Sequence, residues 1–521
     1  MVPDAPQDAL DLAPLAAAAQ NLRRRDHAHL AGLLAACRRS VTGAAPAWVE
    51  ASTRAKGWSA LPAATAEEWT SGPLPVARFL HLLQDLHEGL AAGRLPRARP
   101  HPQHPHAWAA LPARGLADPL LLAGYRATLY GEPGTTQHEP SRHGGIALVL
   151  GAGNVTATPV LDVLHQVFLQ GRAVLLKPSP LHRALAPHFE AALAPLVEAG
   201  LLQLRDGDAA AGQQFARATA VSAVHLTGSQ ATWAQLRGDP ALAGKHLSAE
   251  VGCCTPVLVV PGPWRTGELR HVARQLAAFC AMNGGATCLA PRVLVTARQW
   301  PQRAEFLHWV RQALAALPAR EPFHPTVRDH FARATGQEAR GATLPPSLRA
   351  GLELPRDAAL LQSEPFAPVL LELPLAGDDA VTFLDTAANT VRDTCYGALA
   401  AYVWAPPRLR TQHRAAIDAA IARLPHGTVA INTWAGLGFG LGTTPWGVPP
   451  DAARDHGSGW TRGTLCLAPI RRCVVEAPFQ PHPQPPWNPG HRAGTATLRA
   501  LTRYYLAPSL RRLLPTVVFG L

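Results

Sequence analysis

From Gly145 onward, the sequence alternates short apolar runs with longer segments of helical periodicity. Ile146 to Leu150, Ala173 to Leu176 and Ala223 to Leu226 are such runs, and each leads into a polar or glycine-containing turn. Strands that are buried on both faces are typically apolar throughout, and helical crossovers between them make neighbouring strands parallel. The pattern therefore predicts an α/β fold built on a doubly wound parallel sheet.

Three other segments carry more local predictions. Pro159 to Gln170 has the period of an amphipathic helix, and a further helix is predicted from about Leu181 to Ala199. The His/Pro stretch from His101 to His106 is predicted to be a loop. Its histidines have no partner cluster, so we expect no metal site there. A second β/α region runs from about Cys253 to Trp446.

Composition narrows the class of protein. The net charge of +12 comes from arginines scattered beside Ala and Leu, without basic blocks that interleave with aromatic residues. We therefore expect no nucleic-acid partner. The eight cysteines are dispersed without CxxC spacing, which favours reduced thiols. No uncharged apolar run reaches the roughly 18–20 residues that span a bilayer, so we expect a soluble, cytoplasmic protein.

The residue types near three turns point to a reaction class. Cys288 follows the glycine-rich stretch Asn283-Gly284-Gly285, Glu250 lies upstream, and Asn154 follows the first buried strand. A soft nucleophile, a carboxylate base and an amide donor together favour covalent chemistry on a carbonyl group. Each residue also has a plain structural interpretation: an inert thiol, a surface carboxylate and a turn asparagine.

The motifs around these residues resemble those of the aldehyde dehydrogenase superfamily, in the same order, across roughly residues 140–460. The segment that begins at Gly153 also resembles the acyl-CoA reductase branch of that superfamily. The segments that carry the resemblance are Lys177-Pro178-Ser179, Thr227-Gly228-Ser229, Glu250-Val251-Gly252, Asn283 to Cys288, Glu364-Pro365-Phe366 and Gly427 to Asn432.

The resemblance implies catalytic roles for three residues. Cys288 would attack the aldehyde carbon, and Asn154 with the backbone N–H of Cys288 would hold the oxyanion. Glu250 would then activate the water that releases the acid. The alternatives are an acyl-thioester reductase, in which a CoA thiol replaces water, and a dinucleotide-binding protein without turnover.

The resemblance also implies a cofactor, NAD or NADP. Lys177, Ser179, Gly228 and Ser229 would bind its adenosine and pyrophosphate portions. Glu364 would bind the nicotinamide ribose, with Phe366 close by. Pro180 stands where NAD-dependent members often carry a ribose-binding Glu, and its lack of charge makes NADP possible.

The domain organisation follows from this resemblance. We expect an N-terminal helical region with a Rossmann-like dinucleotide-binding domain over 1–252, and a catalytic domain over 253–447. A return segment with a Pro-rich, basic tail would cover 448–521. The expected partner is a small aldehyde, and a homodimer is possible.

Overall fold

The N-terminal part of the chain is mainly helical and ends in antiparallel strands. The computed structural model describes residues 10–113, 117–449, 457, 459–488, 491 and 493–520, and of 517–520 only the backbone. The first elements are α1 (Ala13–Leu22), α2 (His27–Ala55), α3 (Pro62–Ser71), α4 (Pro73–Ala91), β1 (Arg99–His101), β2 (His104–Ala109), α5 (Asp118–Leu121) and β3 (Arg126–Gln137).

The His/Pro stretch within this part is a β-hairpin, so the loop prediction for it was wrong. β1 and β2 pair antiparallel, with His101 opposite His104. Proline is tolerated because β1 is the edge strand of its sheet, and Pro105 precedes the residues of β2 that pair with β3.

Five parallel strands form the smaller sheet, in the order β6-β5-β4-β7-β8. Helices connect them, which confirms the predicted doubly wound arrangement. The elements of this region are β4 (Ile146–Leu150), α6 (Ala157–Phe168), β5 (Ala173–Lys177), α7 (Ala186–Ala192), α8 (Ala194–Glu198), β6 (Leu202–Leu204), α9 (Ala209–Arg217), β7 (Val221–Gly228), α10 (Gln230–Arg237) and β8 (His246–Val251).

Two helices of this region differ from prediction. Every residue of α6 is buried, because α4 covers the side that would otherwise face solvent. The helix predicted from about Leu181 to Ala199 is instead a 3-10 turn followed by α7 and α8. Pro187 and Pro195 lie in the first turns of these two helices, where proline is accommodated, whereas proline inside one long helix would break its hydrogen bonding.

Ten other strands build a larger sheet in the order β1-β2-β3-β17-β14-β13-β9-β10-β12-β11. Its strands from β14 to β11 are parallel, whereas β17 pairs antiparallel with β3. The segments Pro445–Val448 and Gly459–Arg462 pair antiparallel in a separate two-stranded sheet. The elements are β9 (Pro256–Val259), α11 (Thr266–Ala281), β10 (Val293–Ala297), α12 (Arg303–Ala315), α13 (Val327–Thr335), β11 (Ser347–Arg349), β12 (Val369–Leu375), α14 (Ala380–Thr394), β13 (Ala400–Trp404), α15 (Pro407–Gln412), α16 (Arg414–Arg423), β14 (Thr428–Ile431), α17 (Gly436–Leu441), β15 (Pro445–Val448), β16 (Gly459–Arg462), β17 (Leu467–Glu476), α18 (Gly494–Leu506) and α19 (Leu510–Gly520).

The two sheets share a hydrophobic core that the terminal helices help to close. β1 to β3 come from the N-terminal part of the chain but extend the larger sheet. C-terminal helix α18 packs on α2, α3 and α4, so both ends of the chain meet on one side. Among the described residues, none of the helices is both long and apolar enough to cross a bilayer. The predicted domain boundaries stay a prediction.

Candidate active site

The carboxyl ends of the strands in the smaller sheet gather several of the predicted site positions. β4 and β5 end in register at Leu150 and Lys177, and Asn154 follows shortly after β4. β7 and β8 also end in register, with Thr227 opposite Glu250. Ligands of parallel α/β sheets bind at this edge, so these strand ends share one functional rim.

The loop that carries Cys288 follows α11 and takes a left-handed backbone path. Asn283, Gly284 and Gly285 have φ angles of 54°, 63° and 79°. A Cβ at Gly285 would lie 2.2 Å from the backbone nitrogen of Pro368, so only glycine permits this approach. Asparagine is among the few other residues that adopt positive φ readily. The Asn-Gly-Gly sequence therefore makes the turn that delivers Cys288.

Cys288 and Glu250 come together from different elements. The Cys288 thiol lies 3.7 Å from Glu250 Oε1, with the thiol as donor. Glu250 is only 3% exposed, whereas Cys288 alone among the eight free cysteines is partly exposed. The structure thus brings the predicted nucleophile and base into contact, and their catalytic roles stay predictions.

The surroundings of this pair favour a protonated thiol. Burial raises the pKa of Cys288 well above its ordinary value, and the negative charges of Glu250 and Glu364 raise it further. Burial also raises the pKa of Glu250, while the positive charge of Arg462 opposes that rise. A thiol with a raised pKa needs a base to become a nucleophile, and Glu250 is placed to accept its proton.

Asn154 lies against the Cys288 loop through a small amide network. Asn154 Nδ2 donates to the carbonyl oxygen of Ala286 at 3.2 Å. Asn283 Nδ2 donates to the carbonyl oxygens of Asn154 and Ala286, at 3.0 and 2.8 Å. An amide NH₂ group has two hydrogens, so Asn154 keeps one for a further acceptor.

Lys56 is a site-supporting residue that sequence reasoning missed. Its Nζ donates to Glu68 Oε1 at 2.5 Å and to Asn283 Oδ1 at 2.8 Å, and it lies 3.4 Å from the carbonyl oxygen of Asn154. Lys56 is 6% exposed and Glu68 1%. The sequence feature that could have identified Lys56 is the scarcity of lysine, since it is one of only three lysines in a chain rich in arginine.

Arg292 is a second residue that was missed. Its guanidinium donates to the carbonyl oxygens of Gly285, Thr287 and Ala367, and the residue is fully buried. These contacts fasten the Cys288 loop to the segment that precedes β12. No sequence pattern marked this arginine, because its acceptors are backbone oxygens and the sulfur of Cys280, which folding brings near.

Glu364 and Phe366 belong to that same segment. A Cβ at Gly252 would lie 1.6 Å from Glu364 Oε2, so glycine is required where this carboxylate approaches. Burial raises the pKa of Glu364 to about 8, with Glu250 adding to the rise and Arg292 opposing it. Phe366 turns away with a φ of 34°, and its ring centroid lies 5.0 Å from that of His324. Glu364 therefore lies near the Cys288 thiol, whereas the Phe366 ring packs against His324.

Lys177 occupies a recess at the rim of the smaller sheet. The residue is 7% exposed, and its Nζ has no hydrogen-bond partner within the described ranges. Burial lowers its pKa, and Asp206 and Asp208 oppose that change. A Cβ at Gly212 of α9 would meet the Lys177 side chain at 3.4 Å, so a small residue keeps this recess open.

The predicted phosphate-binding turns lie on the same rim. Ser229 caps α10, since its Oγ accepts a hydrogen bond from Thr232 N at 3.2 Å. Ser179 Oγ accepts from Leu181 N at 3.3 Å and begins the 3-10 turn after β5. Gly228 is exposed beside Ser229. Free backbone N–H groups at such helix starts suit phosphate oxygens.

A buried polar cluster lies behind Glu250 and was not foreseen. Arg462 is 4% exposed, and none of its guanidinium nitrogens has a hydrogen-bond partner among the described residues. Asp162 accepts a hydrogen bond from Thr227 Oγ1 at 3.0 Å and lies 3.6 Å from His225 Nε2. Despite burial, His225 and Arg462 hold the pKa of Asp162 low. Glu250 therefore faces a fixed positive charge with a second carboxylate near it.

Comparisons with known proteins agree with this fold. A model of the aldehyde dehydrogenase family matches residues 123–329. The 4-(hydroxymethyl)benzenesulfonate dehydrogenase of Comamonas testosteroni is 28% identical over 287 residues, which cover 51% of this chain and 55% of that protein. The match thus spans about half the length of this curated relative.

Solved structures share the fold over most of the chain. Aldehyde dehydrogenase C of Pseudomonas syringae, crystallised with NAD⁺ and octanal, has a TM-score of 0.62 at 15% identity, with 91% of this chain and 89% of that chain covered. The NADP-dependent glyceraldehyde-3-phosphate dehydrogenase of Bacillus halodurans has a TM-score of 0.60 at 16% identity and covers 89% of each chain. The chain therefore has the fold of the aldehyde dehydrogenases, and its residues 123–329 match the model of that family.

We expect iodoacetamide to alkylate Cys288 before the other cysteines, because the other seven thiols are buried. Glu250→Gln should speed that alkylation at neutral pH, since removing the nearby negative charge lowers the pKa of the thiol and raises the thiolate fraction. Mass spectrometry of tryptic peptides over a pH series measures both effects. Glu305→Gln, at a partly buried carboxylate of α12 that accepts from Thr266 and Trp309, is the control. An unchanged or slower rate in Glu250→Gln would contradict the electrostatic account.

Replacing Lys56 with Met should lower the melting temperature strongly. Removing one partner of a buried ion pair costs roughly 3–5 kcal/mol, because the other charge is left buried and unpaired. Arg54→Met is the matched control, since Arg54 pairs with Glu50 on an exposed helix face and such pairs contribute about 0.3–0.5 kcal/mol. Lys56→Met with Glu68→Gln should recover part of the loss. Equal melting temperatures for the two single variants would refute the role of Lys56.

Proposed function

We propose that the protein oxidises an aldehyde to a carboxylic acid, with NAD or NADP as cofactor, through a covalent intermediate on Cys288. The observation that carries the proposal is the 3.7 Å contact between a partly exposed thiol and a buried carboxylate on an aldehyde dehydrogenase fold. A reactive thiol next to a base is the arrangement that nucleophilic catalysis needs.

The first step would be proton transfer from Cys288 to Glu250 with attack of the sulfur on the aldehyde carbon. A C–S bond forms, the carbonyl π electrons move to oxygen, and Asn154 with the backbone N–H of Cys288 stabilises the oxyanion. The C–O double bond re-forms as hydride leaves the carbon, and the product on the enzyme is a thioester. A bound nicotinamide dinucleotide would accept that hydride.

Release of the acid would use Glu250 a second time. After Glu250 has passed the thiol proton to solvent, its ionised carboxylate takes a proton from water while the hydroxide adds to the thioester carbon. The C–O double bond then re-forms and the Cys288 thiolate departs. Arg462 supports this role, because its positive charge favours the ionised form of Glu250 in a site where burial opposes it. In our proposal Arg462 acts as a positioning residue through Glu250.

The cofactor would lie along the rim of the smaller sheet. Lys177 fits the ribose hydroxyls, since it is a largely buried cation without a partner within the described ranges. Ser179, Gly228 and Ser229 would approach the pyrophosphate at the starts of the 3-10 turn and α10. Glu364 would hold the nicotinamide ribose close to the thiol, with Phe366 next to it.

The alternative enzyme activity is reduction of an acyl thioester, in which a carrier thiol replaces water. That reaction needs no base for water, so the contact between Glu250 and Cys288 favours aldehyde oxidation. We place the enzyme in the cytoplasm, because the catalytic thiol must stay reduced and all eight cysteines are free. A homodimer and the absence of a nucleic-acid partner remain part of the proposal.

Glu250→Gln should slow deacylation more than hydride transfer. Water must be deprotonated by a base, whereas the Cys288 thiol, whose pKa falls when the carboxylate charge is removed, can lose its proton to solvent before it attacks. A burst of reduced cofactor close to one equivalent per active site should precede a slow steady state, measured by stopped-flow absorbance. Cys288→Ala is the control: it should bind dinucleotide but give neither burst nor turnover. An unchanged steady-state rate in Glu250→Gln, or turnover in Cys288→Ala within roughly tenfold of the wild type, would refute these assignments.

We expect the affinities for NAD and NADP to lie within about tenfold of each other, or ~1.4 kcal/mol. Pro180 carries no charge, and Arg183 lies 2.6 Å from Asp206 near Lys177, so the positive and negative groups largely compensate. Burial lowers the pKa of His182 to about 3, so His182 adds no charge at neutral pH.

Two substitutions test this account in opposite directions. Pro180→Glu should shift the preference toward NAD, because the new carboxylate repels a 2′-phosphate. Asp206→Asn should shift it toward NADP, because a nearby carboxylate is removed. Calorimetric titration with each dinucleotide measures both shifts. A roughly hundredfold preference for NAD in the unchanged protein would show that another carboxylate makes the ribose contact.

A further inference from the structure

The two ends of the chain form a basic groove that the proposed mechanism does not use. It lies between α2, α3, α18 and α19 and has a volume of about 1380 Å³. Six arginines line it: Arg38, Arg39, Arg499, Arg503, Arg511 and Arg512. This volume exceeds the roughly 300–1,000 Å³ of ordinary small-molecule sites.

The charge of the groove is not neutralised from within. None of the six arginines forms an ion pair with a carboxylate among the described residues, and Arg38 and Arg512 donate to Gln84 and to backbone oxygens. The nearest acidic lining residue, Glu67, is already held by both guanidinium nitrogens of Arg320, at 2.7 and 2.8 Å. Like charges gathered in a concave surface attract anions and raise their local concentration.

An apolar cavity of about 250 Å³ adjoins the groove. Thr70, Pro486 and Trp487 line both spaces, so the groove and the cavity share a wall. Leu437 and Phe439, which are both buried, also line the cavity. The result is an apolar space that adjoins a positively charged groove.

Two sets of contacts run from residues in the wall of this cavity to the neighbours of Glu250 and Cys288. The guanidinium of Arg462, which faces Glu250, lies 4.5 Å from the centre of the Phe439 ring. The Tyr402 hydroxyl donates to the carbonyl oxygen of Leu289, next to Cys288, and accepts from Ala435 N behind Trp434. The groove also reaches the Cys288 loop, because Met282 lines it and Glu67 accepts from Asn283 N at 3.0 Å.

We propose that the groove binds the anionic end of the substrate, an aldehyde with a long apolar body and an oxyanion at the end remote from its carbonyl. This proposal rests on the proposed aldehyde oxidation, because only that reaction makes the bound molecule a substrate. Binding of an anion in the groove can be tested without turnover. The apolar body lies in the cavity, and guanidinium groups of α18 and α19 bind the carboxylate or phosphate in the groove. Guanidinium groups match the oxygen pairs of both anions.

The test uses Arg499→Gln with Arg503→Gln, two exposed positions of α18 that make no side-chain hydrogen bonds within the described structure. Arg311→Gln, on exposed α12 outside the groove, is the matched control. Calorimetry measures the affinities for decanedioate, decyl phosphate and decanol. Comparison with decanol separates the contribution of the anion from that of the alkyl chain, and comparison of the two anions shows which one is preferred. We expect at least one anion to bind more tightly than decanol, and the double variant to weaken it roughly tenfold without affecting decanol.

The kinetic test compares the half-aldehyde of decanedioic acid with its methyl ester. We expect the double variant to raise KM for the acid roughly tenfold, with kcat and both constants for the ester nearly unchanged, because the anion contact is the same in the ground and transition states. Added salt should raise KM for the acid only.

The outcomes separate the two proposals. If neither aldehyde is oxidised while an anion still binds through Arg499 and Arg503, the proposed function falls and the anion site stands. If both anions bind no better than decanol, or bind equally to the double variant and the wild type, the anion site is refuted. An equal change in KM for the acid and the ester would refute it as well.

Discussion

The left-handed turn from Asn283 to Gly285 is the constraint on which the site depends. It sends the chain away from the axis of α11 and brings Cys288 to Glu250 from the other sheet. Lys56 holds the turn from the side of the N-terminal helices, and Arg292 holds it from inside the larger sheet. A positive-φ segment is costly unless its surroundings fix it, and here two buried cations do so.

Charged groups from both sheets determine the electrostatics of the site. Cys288, Glu250 and Glu364 place three groups that become negative in one poorly hydrated space, and the pKa of each is raised. Arg292 and Arg462 supply the opposing charge without forming ion pairs with these carboxylates in the described structure. Charges separated in this way leave Glu250 free to accept a proton, because no cation pairs directly with its carboxylate among the described residues.

The sequence predicted what depends on local pattern. Buried strands, their glycine-containing ends and the positions of Asn154, Lys177, Glu250 and Cys288 follow from short-range periodicity and turn chemistry, and the structure places them on one rim and loop. Arg292 and Lys56 could not be predicted, because their partners are backbone or side-chain atoms that only folding brings near; Lys56 and Asn283 are 227 positions apart. The hairpin near His101 was missed because prolines at an edge strand cost little.

The predicted burial of α6 was wrong for the same reason, namely a contact between segments far apart in the sequence. α6 has the period of a surface helix, yet α4 covers its outer side. Residue pattern cannot reveal such a cover, because it comes from a segment with its own helical pattern about eighty positions earlier.

The central part of the chain and its terminal helices contribute different features to the structure. The family match over residues 123–329 contains the rim of the smaller sheet, which we propose binds the dinucleotide, together with Glu250 and Cys288. The basic groove is lined mainly by residues before and after that range, from α2, α3, α18 and α19. In parallel α/β folds ligands bind at the carboxyl ends of the strands, and function has to be argued from the residues of each site. In our proposal the arginines of these terminal helices select the substrate, and the positive charge of the groove is the physical property on which that selection depends.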